Sequence, residues 1–424
     1  KNGGNEDGII LDGSRKMKPL KFLPDADLEE ADRLLVDLLV GNMTCPQGDR
    51  FLILSWLSCF LLIDFAGTRP MTRFEGSAGS GKTTASKITS TLLYGEPQHK
   101  KATDAANYTD GSQNPLIVLD NIEVKQMTED LTTFMLTSIT GIAKEKRKSG
   151  TDSETITERT KCLLNTTGIE PLCGELSEIL SRSFVINFDL ANQASDCFLE
   201  SEVISAIQQN RDLIISAIMK RTSHVLAMIR DGAQKQVMRL LHRTMPTHGK
   251  RRCNDYLSLM YLMMLAGSEE HEVTTGLEEL SPLFIEQIHS INDTSQEMAR
   301  ESNPIATALA SLFHAYRNAV DLDEKARYGE DDRANHVVGF IERYQVRFEN
   351  ENTMEPVSAG RLLAALRRVG REFNLEFEYK KPAQLGRRIS NDLDVIRDAG
   401  FDIDRQRNAH TKNFEYRIVK TANL

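Results

Sequence analysis

Eight consecutive residues, Gly76-Ser77-Ala78-Gly79-Ser80-Gly81-Lys82-Thr83, constrain the fold of this chain more than any other stretch. The glycines let the backbone curl until successive N–H groups point into one concavity shaped for phosphate oxygens. Lys82 can then reach the β- and γ-phosphates, and the Thr83 hydroxyl can ligate Mg²⁺. A helix opening near Lys82 turns its positive end toward the anion. Such a loop needs a strand before it and a helix after it. Met71-Thr72-Arg73-Phe74-Glu75 reads as the strand. Thr84 to Leu93 reads as the helix, with Ile88, Leu92 and Leu93 on one side. That context separates the motif from an accidental Gly/Ser surface loop. Gly76 to Thr84 are therefore the candidate residues for ATP, with Thr83 as a metal ligand.

The chain has 424 residues, enough for two or three domains, and its 40% apolar and 27% charged content suits a globular protein in water. A net charge of −9 requires any nucleic-acid contact to use local basic patches. Six scattered cysteines, with no C-x-x-C pair, read as reduced thiols of a cytoplasmic compartment. The most apolar run, Phe51 to Ile63, is too short to span a bilayer and ends at Asp64, so no membrane partner is expected. The chain opens on Lys1 rather than Met, as a fragment lacking an upstream domain would.

Apolar spacing divides the chain into regions. Residues 1–68 are an N-terminal segment with helices expected over 25–40 and 49–65. Residues 69–195 alternate short β-rich and helical runs, the pattern of a parallel sheet flanked by helices. Residues 196–300 form a helical lid, with helices expected over 201–221, 223–241, 254–265 and 282–291. Residues 301–356 are a connector of two helices broken by acidic segments at 321–324 and 330–332. The last region, 357–424, is a helix–helix–hairpin unit. The fold class is thus α/β: a P-loop core, helical flanking segments and a small C-terminal domain.

Leu116-Ile117-Val118-Leu119-Asp120 is an apolar run ending in Asp. About 40 residues after a P-loop, it reads as the neighbouring buried strand, whose Asp at the carboxyl edge holds the Mg²⁺ water shell. The group that orients the attacking water is usually a Glu directly after that Asp. Here Asn121 follows and Glu123 lies two further on, and both remain candidates. Cys162 to Thr167 reads as a third strand ending in polar residues. Asn165, with Thr166 second, is the candidate to stand between the Mg²⁺ carboxylate and the γ-phosphate. Arg182 precedes a last strand, Ser183 to Asp189. In ring ATPases an Arg there reaches the neighbouring subunit's γ-phosphate, which would require a homo-oligomer.

Two basic features could touch a polymer. Lys144, Lys146, Arg147 and Lys148 precede a Ser-Gly-Thr-Asp turn between the Asp120 and Asn165 strands. A hairpin at that position would project into a ring's channel and grip phosphates without reading bases. The segment 357–424 carries 14 Lys/Arg against 9 Asp/Glu, in the order of a winged helix–turn–helix. Arg387 and Arg388 on its second helix, and Arg405, Arg407 and Lys412 at its wing, are the candidate DNA contacts.

Taken in order, GSAGSGKT, LDNIE, KRKSGTD, LLNTTGI and SRSFVINFD resemble the AAA+ core of MCM-like replicative helicases. The likeness is to those encoded by cassette-type mobile elements and related phage or plasmid primase-helicases. Ser181-Arg182 before Phe184 is similar to the arginine-finger segment of minichromosome-maintenance helicases, and a C-terminal winged helix fits the group. The resemblance covers about 70–190 and, more loosely, the tail. It implies a hexameric ring that spends ATP moving along single-stranded DNA, with duplex contact at the winged helix. It also implies a sensor arginine from the lid, for which Arg251 or Arg252 is the candidate. Asp-Asn at 120–121, in place of Asp-Glu, departs from the family. The competing readings are an ATP-switched initiator or defence assembly that binds DNA or protein partners without unwinding.

Overall fold

The computed structural model describes the chain except residues 1–15, 99–103, 148–154, 161, 170–176, 195–198, 245–252, 268–278, 292–302, 328–334, 374–378, 409–413 and 422–424. Cys173, Cys197, Lys148, Arg251, Arg252 and Lys412 lie outside the described residues. Two compact units emerge: Lys1–Pro171 with Ile179–Ile291, and Leu172–Glu178 with Asn292–Leu424.

The first unit opens with α1 (Leu28–Leu38) and α2 (Gln47–Ser58), followed by β1 (Met71–Glu75) and α3 (Lys82–Tyr94). Next come α4 (Asp104–Gln113), β2 (Leu116–Leu119) and α5 (Glu129–Thr140). A hairpin of β3 (Ala143–Arg147) and β4 (Thr155–Arg159) precedes β5 (Leu163–Gly168), the short α6 (Ser177–Leu180) and β6 (Ser183–Asn187). Helices α7 (Glu200–Arg230), α8 (Ala233–Thr244), α9 (Asn254–Leu265) and α10 (282–291) complete it.

Strands β2, β5, β1 and β6 pair in that order, and the pairs are parallel. Helices cover both faces of such a sheet, so its strands carry no solvent side. Accordingly β1, β2 and β5 are buried along their whole length. One apolar core joins α1, α2, α3, the sheet and α7 to α10, so the regions 1–68, 69–195 and 196–300 share a single interior. Two side chains tie those regions by hydrogen bonds. Tyr256 Oη donates to the Trp56 carbonyl at 2.7 Å, and Arg211 donates to the Leu92 and Leu93 carbonyls that end α3.

The break expected at Thr222 does not occur. Helix α7 runs through it to Arg230, and the stop is Gly232, whose φ of 90° suits a residue without Cβ. Cys45, Cys59, Cys162 and Cys253 are free and buried, and burial pushes the Cys45 thiol up to about 12. No described helix is long and apolar enough to cross a membrane.

The second unit holds α11 (Pro304–Arg327), α12 (His336–Tyr344), β7 (Phe348–Asn350), β8 (Thr353–Ser358) and α13 (Ala359–Glu372). It ends with α14 (Pro382–Asn391), α15 (Leu393–Asp398), β9 (Phe401–Arg407) and β10 (Phe414–Lys420). Its antiparallel sheet has the order β7-β8-β10-β9. The acidic stretch at 321–324 leaves α11 unbroken. The helix expected from Pro382 to Ala399 divides at Asp392, a buried carboxylate held by Asn303 and Arg388. From β8 onward the order is strand, two-part helical pair, hairpin. Helices α11 and α12 and strand β7 share its core, through Phe313, Phe340 and Phe348.

Candidate active site

The phosphate loop leaves the carboxyl end of β1 and runs into α3. Gly76, Gly79 and Gly81 all have positive φ, at 144°, 79° and 97°. At Gly76 a Cβ would strike the Phe188 carbonyl, and at Gly81 it would strike the Thr44 hydroxyl. Thr44, from the segment before α2, also donates to the Ser80 carbonyl, so the N-terminal helices help to shape the loop.

Lys82 folds back over this cradle. Its ammonium donates to the Gly76 and Ser77 carbonyls at 2.8 and 2.6 Å and to Ser80 Oγ at 3.2 Å. Burial lowers the Lys82 pKa below the ordinary lysine value, against the attraction of Glu123 and Asp120. At the first turn of α3, Thr83 Oγ1 donates to Asp120 Oδ1 at 3.1 Å. Thr84 and Lys87 are both taken by Glu200 at the start of α7, at 2.5 and 2.6 Å.

Because β5 lies between β2 and β1, its end separates Asp120 from the loop. The residue placed there is Thr167. Its hydroxyl donates to Asp120 Oδ1 at 2.7 Å and accepts from the Asn121 N–H at 2.8 Å. Asn165 lies two residues deeper, in register with Thr72 and Val118. It is wholly buried, and its amide is spent on Thr72 Oγ1 (2.9 Å) and Ser86 Oγ (2.7 Å). Strand β5 runs on to Gly168, so Asn165 is a mid-strand residue rather than a strand end. Thr166 is buried beside it and points away from Asp120, as alternation along a strand dictates.

After Asp120 the chain turns sharply. Asn121 adopts the left-handed region (φ 57°), which Asn tolerates better than most side chains. This turn carries the Asn121 side chain to the surface and brings Glu123 back over the sheet edge, where Glu123 Oε1 accepts from the Ile169 N–H at 2.9 Å. Of the two base candidates, Glu123 is the one electrostatically coupled to Lys82.

Beneath the edge lies a pair with no conspicuous sequence signal. Arg73 (0% exposed) meets Glu75 (3% exposed) at 3.1 Å, and its Nη1 donates to the Ile122 and Thr167 carbonyls at 2.8 and 2.9 Å. A Cβ on Gly168 would collide with this guanidinium. Arg73 thus joins the loop strand, the turn after Asp120 and the end of β5. Only its position between two parallel neighbours separates it from a solvent-facing strand arginine.

Arg182 stands at the opposite edge. The Met71 N–H donates to its carbonyl at 3.2 Å, and β6 runs parallel to β1. Arg182 precedes the start of β6 and the loop follows the end of β1, so the full length of these paired strands separates Arg182 from its own loop.

The expected basic hairpin forms, with Lys144 opposite Glu158 and Arg147 opposite Thr155. In the second unit Arg387 is exposed on α14, whereas Arg388 Nε forms an ion pair with Asp392 at 2.6 Å. Arg405 and Arg407 are exposed on β9, and the Arg405 guanidinium lies 3.6 Å over the Phe414 ring.

The oxygen donors Thr83 and Asp120 beside a glycine cradle fit a hard divalent cation completed by phosphate oxygens and water. Among the described residues no group of three or more His, Cys, Asp or Glu could hold a metal by itself.

No family model and no curated protein matches the chain. Solved structures similar to it include an SCCmec type IV Cch described as an active helicase, at 14% identity and a TM-score of 0.48, covering 95% of this chain and 72% of that one. The apo C-terminal region of NrS-1 aligns at 13% identity and a TM-score of 0.40, covering 96% and 78%. A full-length MCM homolog from Methanopyrus kandleri aligns at 13% and 0.36, covering 66% and 63%.

Proposed function

We propose that this chain is an ATP-driven, ring-forming DNA helicase for replication of a mobile element or phage. In this reading its core is of the AAA+ type and its tail is a winged helix. The observation that carries the nucleotide chemistry is the chain Thr83–Asp120–Thr167 beneath a three-glycine cradle. Lys82 exchanges the Gly76 and Ser77 carbonyls for phosphate oxygens, so its positive charge is already in place. Thr83 and Asp120 are the residues to hold Mg²⁺, which would neutralise charge on the transferred phosphoryl group. Glu123 orients the attacking water, and Thr167 fixes the Asp120 carboxylate and the following turn.

Arg182 sits a strand's length from its own loop, so its catalytic use falls to a neighbouring subunit. A ring, by resemblance a hexamer, follows from that division of labour. DNA is the polymer partner in this reading. That part of the reading rests on the ordered motifs and on the β3–β4 hairpin carrying Lys144, Lys146 and Arg147. The lysine and arginine residues there would follow a strand through the ring by its phosphates.

Two measurements test the proposal. Neutralising Lys146 and Arg147 is expected to abolish DNA-stimulated hydrolysis and unwinding while basal hydrolysis stays; intact unwinding would defeat the helicase assignment. Imaging with ATP and forked DNA should show closed rings around the strand. Monomers that hydrolyse ATP at full rate would defeat the shared site.

A further inference from the structure

A groove of about 680 Å³ opens in the second unit between the start of α13, α14 and the β9–β10 hairpin. Pairing of Glu415 with Ser358 brings the opening of α13 against β10, and Pro382 and Ala383 bring the opening of α14 to the same space. Two helix N-termini therefore converge there, with first-turn N–H groups that no helical carbonyl can satisfy. Ser358 already accepts from the Arg361 N–H at 3.4 Å, which leaves its hydroxyl proton to donate elsewhere.

A second feature is independent of the helix ends. Tyr416 is 2% exposed, yet it lines the groove. Its hydroxyl lies where a Cβ on Gly386 would come within 2.8 Å, and it has no hydrogen-bond partner among the described residues. A phenol hydroxyl at the groove wall without a protein partner can donate to an acceptor seated there. Arg387 and Arg405 add positive charge, and no carboxylate lines the space. The site is built for an anion.

The shape narrows the anion's source. The volume exceeds that of one phosphate, and the groove is concave rather than a protruding helix face. Duplex readout needs a helix entering a groove about 12 Å wide, with several free side chains along it. Here Arg388 is tied to Asp392, leaving Arg387 the exposed arginine of α14. Phe414 is 44% exposed with the Arg405 guanidinium stacked on it, which offers a planar surface on which a base can stack. We propose that this groove seats a backbone phosphate of single-stranded DNA, with the neighbouring base on the Arg405–Phe414 stack. The proposal rests on the helicase reading only for the choice of polymer.

The test uses the full chain without nucleotide and a labelled oligothymidylate, so its result is independent of hydrolysis and unwinding. The double variant Arg405→Ala/Phe414→Ala, made at exposed positions, should weaken binding about tenfold. Tyr416→Phe, which keeps the ring, should weaken it about fivefold. Arg417→Ala, on the same hairpin but outside the groove, should bind as the parent does. Unchanged affinity in both groove variants overturns the proposal. So does tighter binding of a duplex with the same losses, which would make the groove a duplex reader. Displacement of the strand by inorganic phosphate at equal phosphate concentration also overturns it, marking a pocket for the free ion.

Discussion

Strands β1 and β9 both mix polar with apolar residues, and the fold uses them in opposite ways. Along β9, Phe401 and Ile403 face the core while Asp404 and Gln406 are exposed. In β1 the polar Thr72, Arg73 and Glu75 are as buried as Met71 and Phe74. A buried polar group must find a partner, and those in β1 find the elements that make the site. Thr72 takes Asn165, and Arg73 takes Glu75, Ile122 and Thr167. The supports of the candidate site therefore lie inside a two-sided sheet. The hairpin of the second unit keeps Asp404, Arg405 and Arg407 exposed to water.

Breaking the β1 side should cost most. Arg73→Met removes the guanidinium that faces the buried Glu75 carboxylate and ties the Ile122 and Thr167 carbonyls, with an expected loss of about 3–5 kcal/mol in denaturant unfolding. A loss below about 1 kcal/mol would remove the contrast between the two strands. Lys82→Ala should lower ATP turnover about 10²–10³-fold, as the loss of a charge-stabilising donor does, with the unfolding midpoint unchanged. Thr167→Val removes a hydroxyl held by a charged acceptor and should cost about 1.5–3 kcal/mol. The same replacement at the exposed Thr109, read in parallel, controls for the added methyl. In the second unit, Gly386→Ala crowds the Tyr416 hydroxyl and should cost about 1 kcal/mol. Smallest of all, Arg417→Ala breaks an exposed pair with Glu349 and should leave the melting temperature where it was.

Some of the site is legible in the sequence because its signal is local. The phosphate loop announces itself through three glycines whose positive φ values any reader of the motif would require. Asp120 ends an apolar run, and the turn after Arg147 predicts the β3–β4 hairpin. Thr167 is not legible in the sequence because the register of β5 against β2 decides which of Asn165, Thr166 and Thr167 meets Asp120. Arg388 looks as free as Arg387 until Asp392, one helical turn on, is found bound to it. The β7 strand and helices α11 and α12 share the core of the second unit through aromatic contacts between residues far apart in sequence, such as Tyr316 stacked on Phe348 at 4.1 Å.

By itself the sequence determined that a strand, a phosphate cradle and a helix follow one another at 71–94, since backbone freedom and helix polarity are properties of neighbouring residues. Only the tertiary structure decided which polar side chain stands between Asp120 and the loop. The same holds for the arginine locked beneath the edge and for the edge that carries Arg182. Strand order and burial are long-range choices: inserting β5 between β2 and β1 brings Thr167 to Asp120 and turns Arg73 from a solvent charge into the interior tie of the site.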